Sequence, residues 1–388
     1  MTDLVEAAAR LAPRFAARAA AHDADGTFPV DDFADLRDAG LFGILVPTAL
    51  GGAGAGFAEY AAVAYELARG NGATALVFNM HASVTGAMSA VDPALASALG
   101  VPAEALAARD RLLRAAAEGA WYAVAMSERG VGSRLSQLAT AYEPAGDGYR
   151  IKGAKTFVSG AGHADGYLVA ARRVDDQAVV SQFLVPADTD GLRVERTWDS
   201  LGMRATRSDD LHIDVTVPAD ALLGGVEGLA LVVAQLMPHW LVASYAAVYV
   251  GVARAAVDAA VAHATERGLG RLPAVRARIG RADAAVEAAR LAVFEAARRV
   301  DADPSSAETR AWVWRAKLLA GTTAADVAAS MLEAAGTSAS RRGHPLERLF
   351  RDARCGSLQP ATSDVCADWL GVAALGGDPD HDGVAPRW

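Results

Sequence analysis

The sequence predicts an α+β fold with an N-terminal helical domain, a small central β-barrel or sheet domain and a C-terminal four-helix bundle. In residues 3–117 apolar side chains recur at helical spacing, as Tyr60, Val63 and Leu67 do. Between about 121 and 223 the pattern changes to short alternating runs that are typical of strands. Helical spacing then returns from about residue 229. The predicted domains are 1–117, 118–226 and 227–388, and the helical segments of the third are 229–266, 274–300 and 305–335.

The composition argues against several classes of protein. A chain of 388 residues can bury more than one core, and its net charge of -9 without a cationic cluster disfavours a nucleic-acid partner. Its two cysteines, Cys355 and Cys366, are too few for a disulfide framework or a zinc site, so we expect a cytoplasmic protein without a metal. Neither a signal peptide nor a membrane span is expected. The first residues lack a basic region, and the apolar stretch 229–252 contains Pro238 and polar residues.

Glycine-rich and aromatic segments lie near the ends of predicted strands. Residues 125–133 read AMSERGVGS, and such glycines let a backbone approach a ligand and present N–H groups to its oxygens. Residues 155–160 read KTFVSG, and residues 198–208 read WDSLGMRATRS. A later helical segment, 345–354, reads PLERLFRDAR. Each alone also has a structural explanation, as a turn, a core aromatic residue or an Arg–Asp pair within a helix.

Taken together, these segments resemble the motifs of the acyl-CoA dehydrogenase superfamily, as do GLFGILVP at 40–47 and LGGAG at 50–54. The resemblance covers most of the chain and implies a flavoenzyme that binds FAD. It assigns Ser127 to the pyrimidine side of the flavin ring and Ser133 to the pyrophosphate. Phe157 would cover a face of the ring, and Ser159 would hydrogen-bond the nitrogen that receives hydride. The cofactor-binding residues implied are Met126, Ser127, Gly132, Ser133, Phe157, Ser159 and Arg267.

The carboxylate that usually removes the substrate's α-proton in this superfamily is missing. Aligning on the 351–354 segment places Pro360 at the common glutamate position, and the alternative position holds Leu241. A relocated base is one explanation, and Asp364 and His81 are the catalytic candidates, with His239 a weaker third. Each also has a structural explanation, since Asp364 follows Ser363 at the start of a helix and a lone histidine on a helix is usually a core residue.

The resemblance implies α,β-desaturation of an acyl thioester with hydride transfer to FAD, using a non-standard base. The substrate would be carried on coenzyme A or an acyl carrier protein, an electron-accepting flavoprotein would be a partner, and the chain would form a dimer or tetramer. The C-terminal segment 336–371 resembles a branch that also contains flavin-dependent monooxygenases, which take reduced flavin from a partner reductase. Those enzymes often carry a histidine in the stretch read here as 355–360, where this chain has none. A catalytically inactive member is a third alternative.

Overall fold

The computed structural model describes residues 3–381, apart from the side chain of Leu241. Its N-terminal third is helical, as the apolar spacing predicts. α4 is buried on nearly all sides and is capped by the Asn71 side chain, which accepts from the Ala73 N–H at 3.1 Å. The N-terminal helices are α1 (Asp3–Asp25), α2 (Val30–Asp38), α3 (Phe57–Gly70), α4 (Gly72–Ser89), α5 (Pro93–Ala98) and α6 (Ala103–Ala117).

A curled mixed sheet follows. Its strands run in the order β1-β4-β2-β3-β7-β6, with β5 paired to β4 outside this path. β4 pairs in parallel with β1 and β2, whereas the remaining pairings are antiparallel. The long β3–β7 ladder loses its register between Lys155 and Val158, and this irregularity is where the candidate site begins. The strands are β1 (Tyr122–Ala125), β2 (Ala141–Ala145), β3 (Gly148–Val158), β4 (Gly166–Arg173), β5 (Val180–Pro186), β6 (Leu192–Glu195) and β7 (Asp209–Pro218).

The C-terminal part is helical again. α9, α10 and α11 pack on one another, and α12 and α13 pack on α11. The fold class predicted from the sequence is therefore confirmed. The helices of this part are α7 (Leu229–Leu236), α8 (Pro238–Leu241), α9 (Ser244–Glu266), α10 (Pro273–Ala302), α11 (Ala307–Ala335), α12 (Pro345–Arg354) and α13 (Ser363–Ala374).

The predicted helical segment 229–266 is broken into three helices, so its continuity was wrong. Pro238 has no N–H to continue the hydrogen-bond ladder, and Met237 before it leaves the helical region with φ -126° and ψ 49°. The stretch Pro238–Glu266 is long and apolar enough to cross a membrane by length and composition alone. Because 82% of its most apolar window is buried inside the protein, we describe it as core.

α4 connects the three parts of the molecule. It packs on α3 in its own region, on β1 of the sheet and on α9 of the C-terminal helices. Side chains that meet between these elements, such as Phe78, Trp121 and Val248, belong to one continuous buried core. The sheet and the C-terminal helices are therefore held in a fixed relation. We call the region where the end of β3, the loop 198–208 and α12 meet the crevice.

Candidate functional site

The end of β3 holds an aromatic side chain in a strained backbone conformation. Phe157 has φ +57°, a region that bulky residues rarely adopt. Its side chain is 59% exposed, and its ring meets the edge of Trp198 at a centroid distance of 5.9 Å. An exposed aromatic residue held at a costly backbone angle is typical of a ligand site, where the strain serves to present the ring.

The loop that follows β6 carries the same kind of strain. Met203 and Arg207 have φ +53° and +46°, and with Phe157 they are the only non-glycine residues at positive φ between positions 3 and 381. The Gly160 N–H donates to the Thr206 carbonyl at 2.8 Å, so the loop and the end of β3 form one unit. Strained residues thus cluster at a single end of the sheet, which marks that end as the candidate site.

C-terminal helix α12 packs directly against this loop. Asp352 is buried, and its carboxylate accepts from the Met203 N–H at 2.6 Å. Burial raises the pKa of Asp352 above its ordinary value, although Arg348 and the Met203 N–H oppose the shift. A Cβ at Gly202 would lie 2.2 Å from the Arg351 carbonyl oxygen, so only glycine permits this approach. The loop 198–208 and α12 are therefore in direct contact.

Three hydroxyl groups, at the end of β3 and in the loop 198–208, are connected by hydrogen bonds. The Oγ of Ser159 is 2.9 Å from the Oγ of Ser208, which is 2.7 Å from the Oγ1 of Thr206. Thr206 donates in turn to the Met203 carbonyl at 2.9 Å. The three residues are 8%, 5% and 0% exposed in that order, so Ser159 is the end of the chain nearest to solvent.

The glycine loop 126–133 is held to β3 by a buried ion pair. Lys155 and Glu128 are almost wholly buried, and the Nζ of Lys155 lies 2.7 Å from the Oε1 of Glu128. The carboxylate also accepts from the N–H groups of Ala139 and Thr140, at 2.6 and 3.0 Å. Burial lowers the pKa of Lys155 to about 8. Burial opposes ionisation of Glu128 as well, but Lys155 and the two N–H donors hold the pKa of Glu128 below its ordinary value.

The loop itself faces open space. Gly130 and Gly132 have φ +83° and +66°, and a Cβ at either would meet no atom within 4 Å. Ser127 and Ser133 are half-buried beside them, and the Ser127 carbonyl accepts from the Thr156 N–H at 2.8 Å. The structure therefore brings the residues expected to contact the flavin, Ser127 and Phe157, onto two segments that are hydrogen-bonded to each other.

Three exposed apolar side chains belong to the segments that meet at the crevice or directly follow them. Phe157 and Leu201 belong to the sheet region, and Leu358 follows α12; the latter two are 57% and 56% exposed. Large apolar groups that are exposed to solvent are candidates for contact with a ligand or a partner. A flat aromatic ring with polar edges fits these residues, since the apolar groups would meet its faces and the hydroxyl and N–H groups would meet its edge.

An apolar cavity lies on the other side of Met126. It occupies about 120 Å³ between α4, α6, the sheet and α7, and Val84, Leu168 and Trp240 are among its walls. Its charged lining residues are Arg109 and Asp220, and each is paired: Arg109 with Asp110 at 2.7 Å and Asp220 with Arg111 at 2.7 Å. Because Met126 borders both the cavity and the loop, a molecule in the cavity lies next to the candidate flavin site.

His81 is sealed in the interior. It is 0% exposed, its Nε2 lies 2.8 Å from the Phe42 carbonyl, and its Nδ1 accepts from the Tyr122 N–H at 3.1 Å. A carbonyl only accepts and an amide N–H only donates, so the two partners fix the neutral Nε2–H tautomer. Burial lowers the pKa of His81 to about 4. Both ring nitrogens are therefore committed to the backbone, a geometry that favours the structural explanation over a catalytic base.

The other candidates lie apart from the cavity walls. Asp364 is exposed in the first turn of α13, and the helix is capped by Thr362, whose Oγ1 accepts from the Val365 N–H at 3.3 Å. His239 is 4% exposed, and burial lowers its pKa to about 4. Neither side chain borders the cavity.

Arg267 and Pro360 complete the set of residues singled out in the sequence. Arg267 is exposed at the C-terminal end of α9 and makes no ion pair within residues 3–381. Pro360 is exposed in the loop between α12 and α13. That loop is held by buried Lys317, whose Nζ donates to the Gly356 carbonyl at 2.8 Å and to that of Gln359 at 3.2 Å. Within the described residues, no cluster of histidine, cysteine and carboxylate side chains could hold a metal ion.

The fold is that of a flavoprotein oxidoreductase. The acyl-CoA dehydrogenase N-terminal, middle and C-terminal domains match residues 2–92, 123–216 and 243–362. The chain therefore belongs to the acyl-CoA dehydrogenase superfamily, as its motifs indicate.

Similar proteins catalyse different reactions. The chain is 32% identical to an L-evernosamine nitrososynthase of a Micromonospora species, over 99% of this chain and 92% of that protein. It is 28% identical to the putative acyl-CoA dehydrogenase YdbM of Bacillus subtilis, over 96% of both. The structure of KijD3 in complex with FMN and a dTDP-linked amino sugar is similar with a TM-score of 0.83 and 29% identity. That match covers 98% of this chain and 94% of KijD3. Family membership thus defines a flavoenzyme and leaves the reaction open.

Proposed function

We propose that this protein is a flavin-dependent monooxygenase that uses reduced flavin from a separate reductase. The observation that carries the proposal is the absence of a free proton acceptor at the substrate cavity. Among the described residues that line it, Asp220 is the only carboxylate, and it is paired with Arg111. Desaturation of an acyl thioester needs a base beside the α-carbon, whereas oxygen transfer does not need one at that place.

The residues of the crevice would hold the flavin. Phe157 and Leu201 would pack against the ring, Ser159 would bond its edge, and Gly132 and Ser133 would bind its phosphate. When bound, reduced flavin supplies two electrons to O₂, so that one oxygen atom enters the substrate and the other leaves as water. The chain's own part is to bind and orient the ring and to exclude bulk water from the cavity beside Met126.

FMN is the flavin we propose, in place of the FAD that the motifs imply. KijD3 is described in complex with FMN. The resemblance assigns Arg267 to the flavin pyrophosphate across a subunit interface, but in this chain it is followed by Gly268, Leu269 and Gly270 instead of the family's usual Phe-Gly pair. This departure from the motif is our second reason for proposing the cofactor that lacks a pyrophosphate.

The substrate would be compact and largely apolar. A cavity of about 120 Å³ compares with the roughly 150 Å³ apolar cavity that takes up benzene. One ring or a short branched chain fits this space, and a long acyl chain would need the cavity to open. A polar group on the substrate would face Gln182 and Asp220, which are among the polar residues that line the cavity.

The direct test is oxygen incorporation. Purified protein, FMN, a flavin reductase and NADH are incubated under ¹⁸O₂ with a panel of small aromatic sulfides, indoles and amines. We expect one ¹⁸O atom per product molecule, and the same reaction under nitrogen should give no product. Reductase with free FMN and no protein measures the uncatalysed background. Product without ¹⁸O, or equal product without the protein, would contradict the proposal.

A second candidate function is acyl-CoA dehydrogenation with Asp364 as the base. Its support is the similarity to YdbM over 96% of the chain and the position of Asp364 on the helix that follows the loop containing Pro360. In that case an acyl-CoA would bleach the protein-bound flavin anaerobically, and Asp364→Asn would slow the bleaching. Bleaching that is equally fast in Asp364→Asn would exclude Asp364 as the base.

We also propose that the chain forms a homo-oligomer. Leu291 on α10 is 58% exposed and Leu319 on α11 is 44% exposed, which leaves apolar groups of the C-terminal helices available for a second copy. Light scattering should give a mass that is a multiple of the 40.0 kDa chain. A single species of 40.0 kDa at micromolar concentration would refute this part.

A further inference from the structure

The hydroxyl chain behind Ser159 is built so that its hydrogen-bond direction can reverse. We propose that Ser159, Ser208 and Thr206 act as a relay that matches the flavin in both of its redox states, donating to the oxidised ring and accepting from the reduced one. This inference rests on the proposed function, because it takes Ser159 as the residue that bonds the flavin edge. Ser208 and Thr206 are then positioning residues that act through Ser159.

In the structure the three hydroxyl groups donate in one direction, from Ser159 through Ser208 to Thr206. The Met203 carbonyl can only accept, so the Thr206 hydroxyl donates to it at 2.9 Å. Each hydroxyl has one hydrogen, so Ser208 must donate to Thr206 across 2.7 Å and Ser159 must donate to Ser208 across 2.9 Å. Ser159 is left with free lone pairs at the exposed end. This arrangement suits a ligand that donates a hydrogen bond, as the N–H of reduced flavin does.

The opposite direction is also open. If Thr206 donates to Ser208 and Ser208 donates to Ser159, the hydrogen of Ser159 is free for the ligand. The Met203 carbonyl then loses one donor but keeps two, the Nε1–H of Trp198 at 3.1 Å and the Thr206 N–H at 3.1 Å. The reversal therefore leaves the Met203 carbonyl and the three hydroxyl groups with hydrogen-bond partners. This second arrangement suits an acceptor, as the unprotonated ring nitrogen of oxidised flavin is.

The surroundings limit what else the three hydroxyls can do. Ser208 and Thr206 are 5% and 0% exposed, so neither exchanges its partner for bulk water. The loop that carries them is fixed by Met203 and Arg207 at positive φ and by the hydrogen bond from Gly160 to Thr206. The hydroxyls can therefore rotate, while the oxygen atoms stay in place.

Breaking the chain should affect the two redox states unequally. In Ser208→Ala, Ser159 can still donate to oxidised flavin. With reduced flavin its hydrogen would have no acceptor, and an unmade buried hydrogen bond weakens binding by about tenfold. Thr206→Val removes the other hydrogen bond of the row of three hydroxyl groups, the one between Ser208 and Thr206. It leaves the hydrogen of Ser208 without an acceptor when reduced flavin is bound. Both variants should therefore bind reduced FMN about tenfold more weakly and oxidised FMN nearly as well as the natural protein.

The experiment measures FMN affinity in both states and the reduction potential of the bound flavin. Dissociation constants are measured by anaerobic fluorescence and absorbance titration, with dithionite for the reduced state. A tenfold change in their ratio lowers the two-electron potential by about 30 mV. Ser208→Thr, which keeps the hydroxyl, should restore the potential. Ser200→Ala and Thr85→Val are matched controls, because these two hydroxyls donate to backbone carbonyls and take no part in the row of three hydroxyl groups. Neither control should change the ratio of the two FMN dissociation constants.

Ser159→Ala distinguishes a failure of the proposed relay from a failure of the proposed flavin site. If it weakens FMN in both states while Ser208→Ala and Thr206→Val leave the ratio unchanged, the relay is wrong and the flavin site stands. If Ser159→Ala alters neither affinity, the flavin site assigned here is wrong and the relay falls with it. Should Ser208→Ala fail to fold, Thr206→Val tests the same reversal at the hydrogen bond between Thr206 and Ser208.

Discussion

His81 should make the protein less stable as the pH falls, and the size of the effect follows from its burial. In the folded protein its pKa is lowered to about 4, against an ordinary value of 6.5. Between these values the unfolded chain binds a proton that the folded chain excludes, so stability is lost as pH falls through this window. At about 1.36 kcal/mol for each pH unit between these two pKa values, the limiting loss of stability is about 3 kcal/mol. About 2 kcal/mol of this is lost between pH 7 and pH 5.

The assay is urea unfolding of the natural protein and of His81→Gln at pH 7 and pH 5. Glutamine cannot take up the proton, so the variant should be less stable at pH 7 but should lose about 2 kcal/mol less than the natural protein on acidification. His381→Gln serves as the control, because that histidine is exposed. An identical pH dependence in His81→Gln and the natural protein would refute the reasoning, because His81 would then be able to accept a proton in the folded state.

Three further predictions concern the loop, the ring and the cavity. Lys155→Met leaves the carboxylate of Glu128 buried without its cation and should lower the free energy of unfolding by about 3 kcal/mol. Lys152→Met, at an exposed site, should change the free energy of unfolding little. Equal losses for the two variants in urea titrations would contradict the stabilising role of the buried pair. Phe157→Gly relieves the positive φ and should be about 1 kcal/mol more stable than Phe157→Ala, while both bind FMN about tenfold more weakly; greater stability of the alanine variant would show that no strain is stored there. Ala87→Phe fills the cavity and should reduce product formation by more than about tenfold without changing FMN affinity, and undiminished turnover would place the substrate elsewhere.

The sequence was sufficient to predict the order of the three regions. Phe157 and Ser159 lie two positions apart within a motif of six residues, Phe157 in β3 and Ser159 just after it, and their flavin contacts stay predictions. The strain at Phe157 was not visible in the sequence. It depends on the register shift in the pairing of β3 with β7, which only the assembled sheet creates.

Side-chain contacts between residues far apart in the sequence could not be predicted from it. The ion pair of Lys155 with Glu128 joins positions 27 apart, and the bond of Ser159 with Ser208 joins positions 49 apart. Lys155 is one of three cationic residues in β3, so its residue type gave no signal that it is buried, and its partner could not be named. The role of His81 depends on backbone groups of Phe42 and Tyr122, which residue type does not encode.

A crystal structure of the protein with bound FMN tests the central claim most directly. We predict that the flavin ring lies in the crevice between the sheet and the C-terminal helices, with Phe157 against one face and Ser159 within hydrogen-bond distance of its edge. A ring bound elsewhere, or a crevice filled by side chains in the complex, would contradict the account.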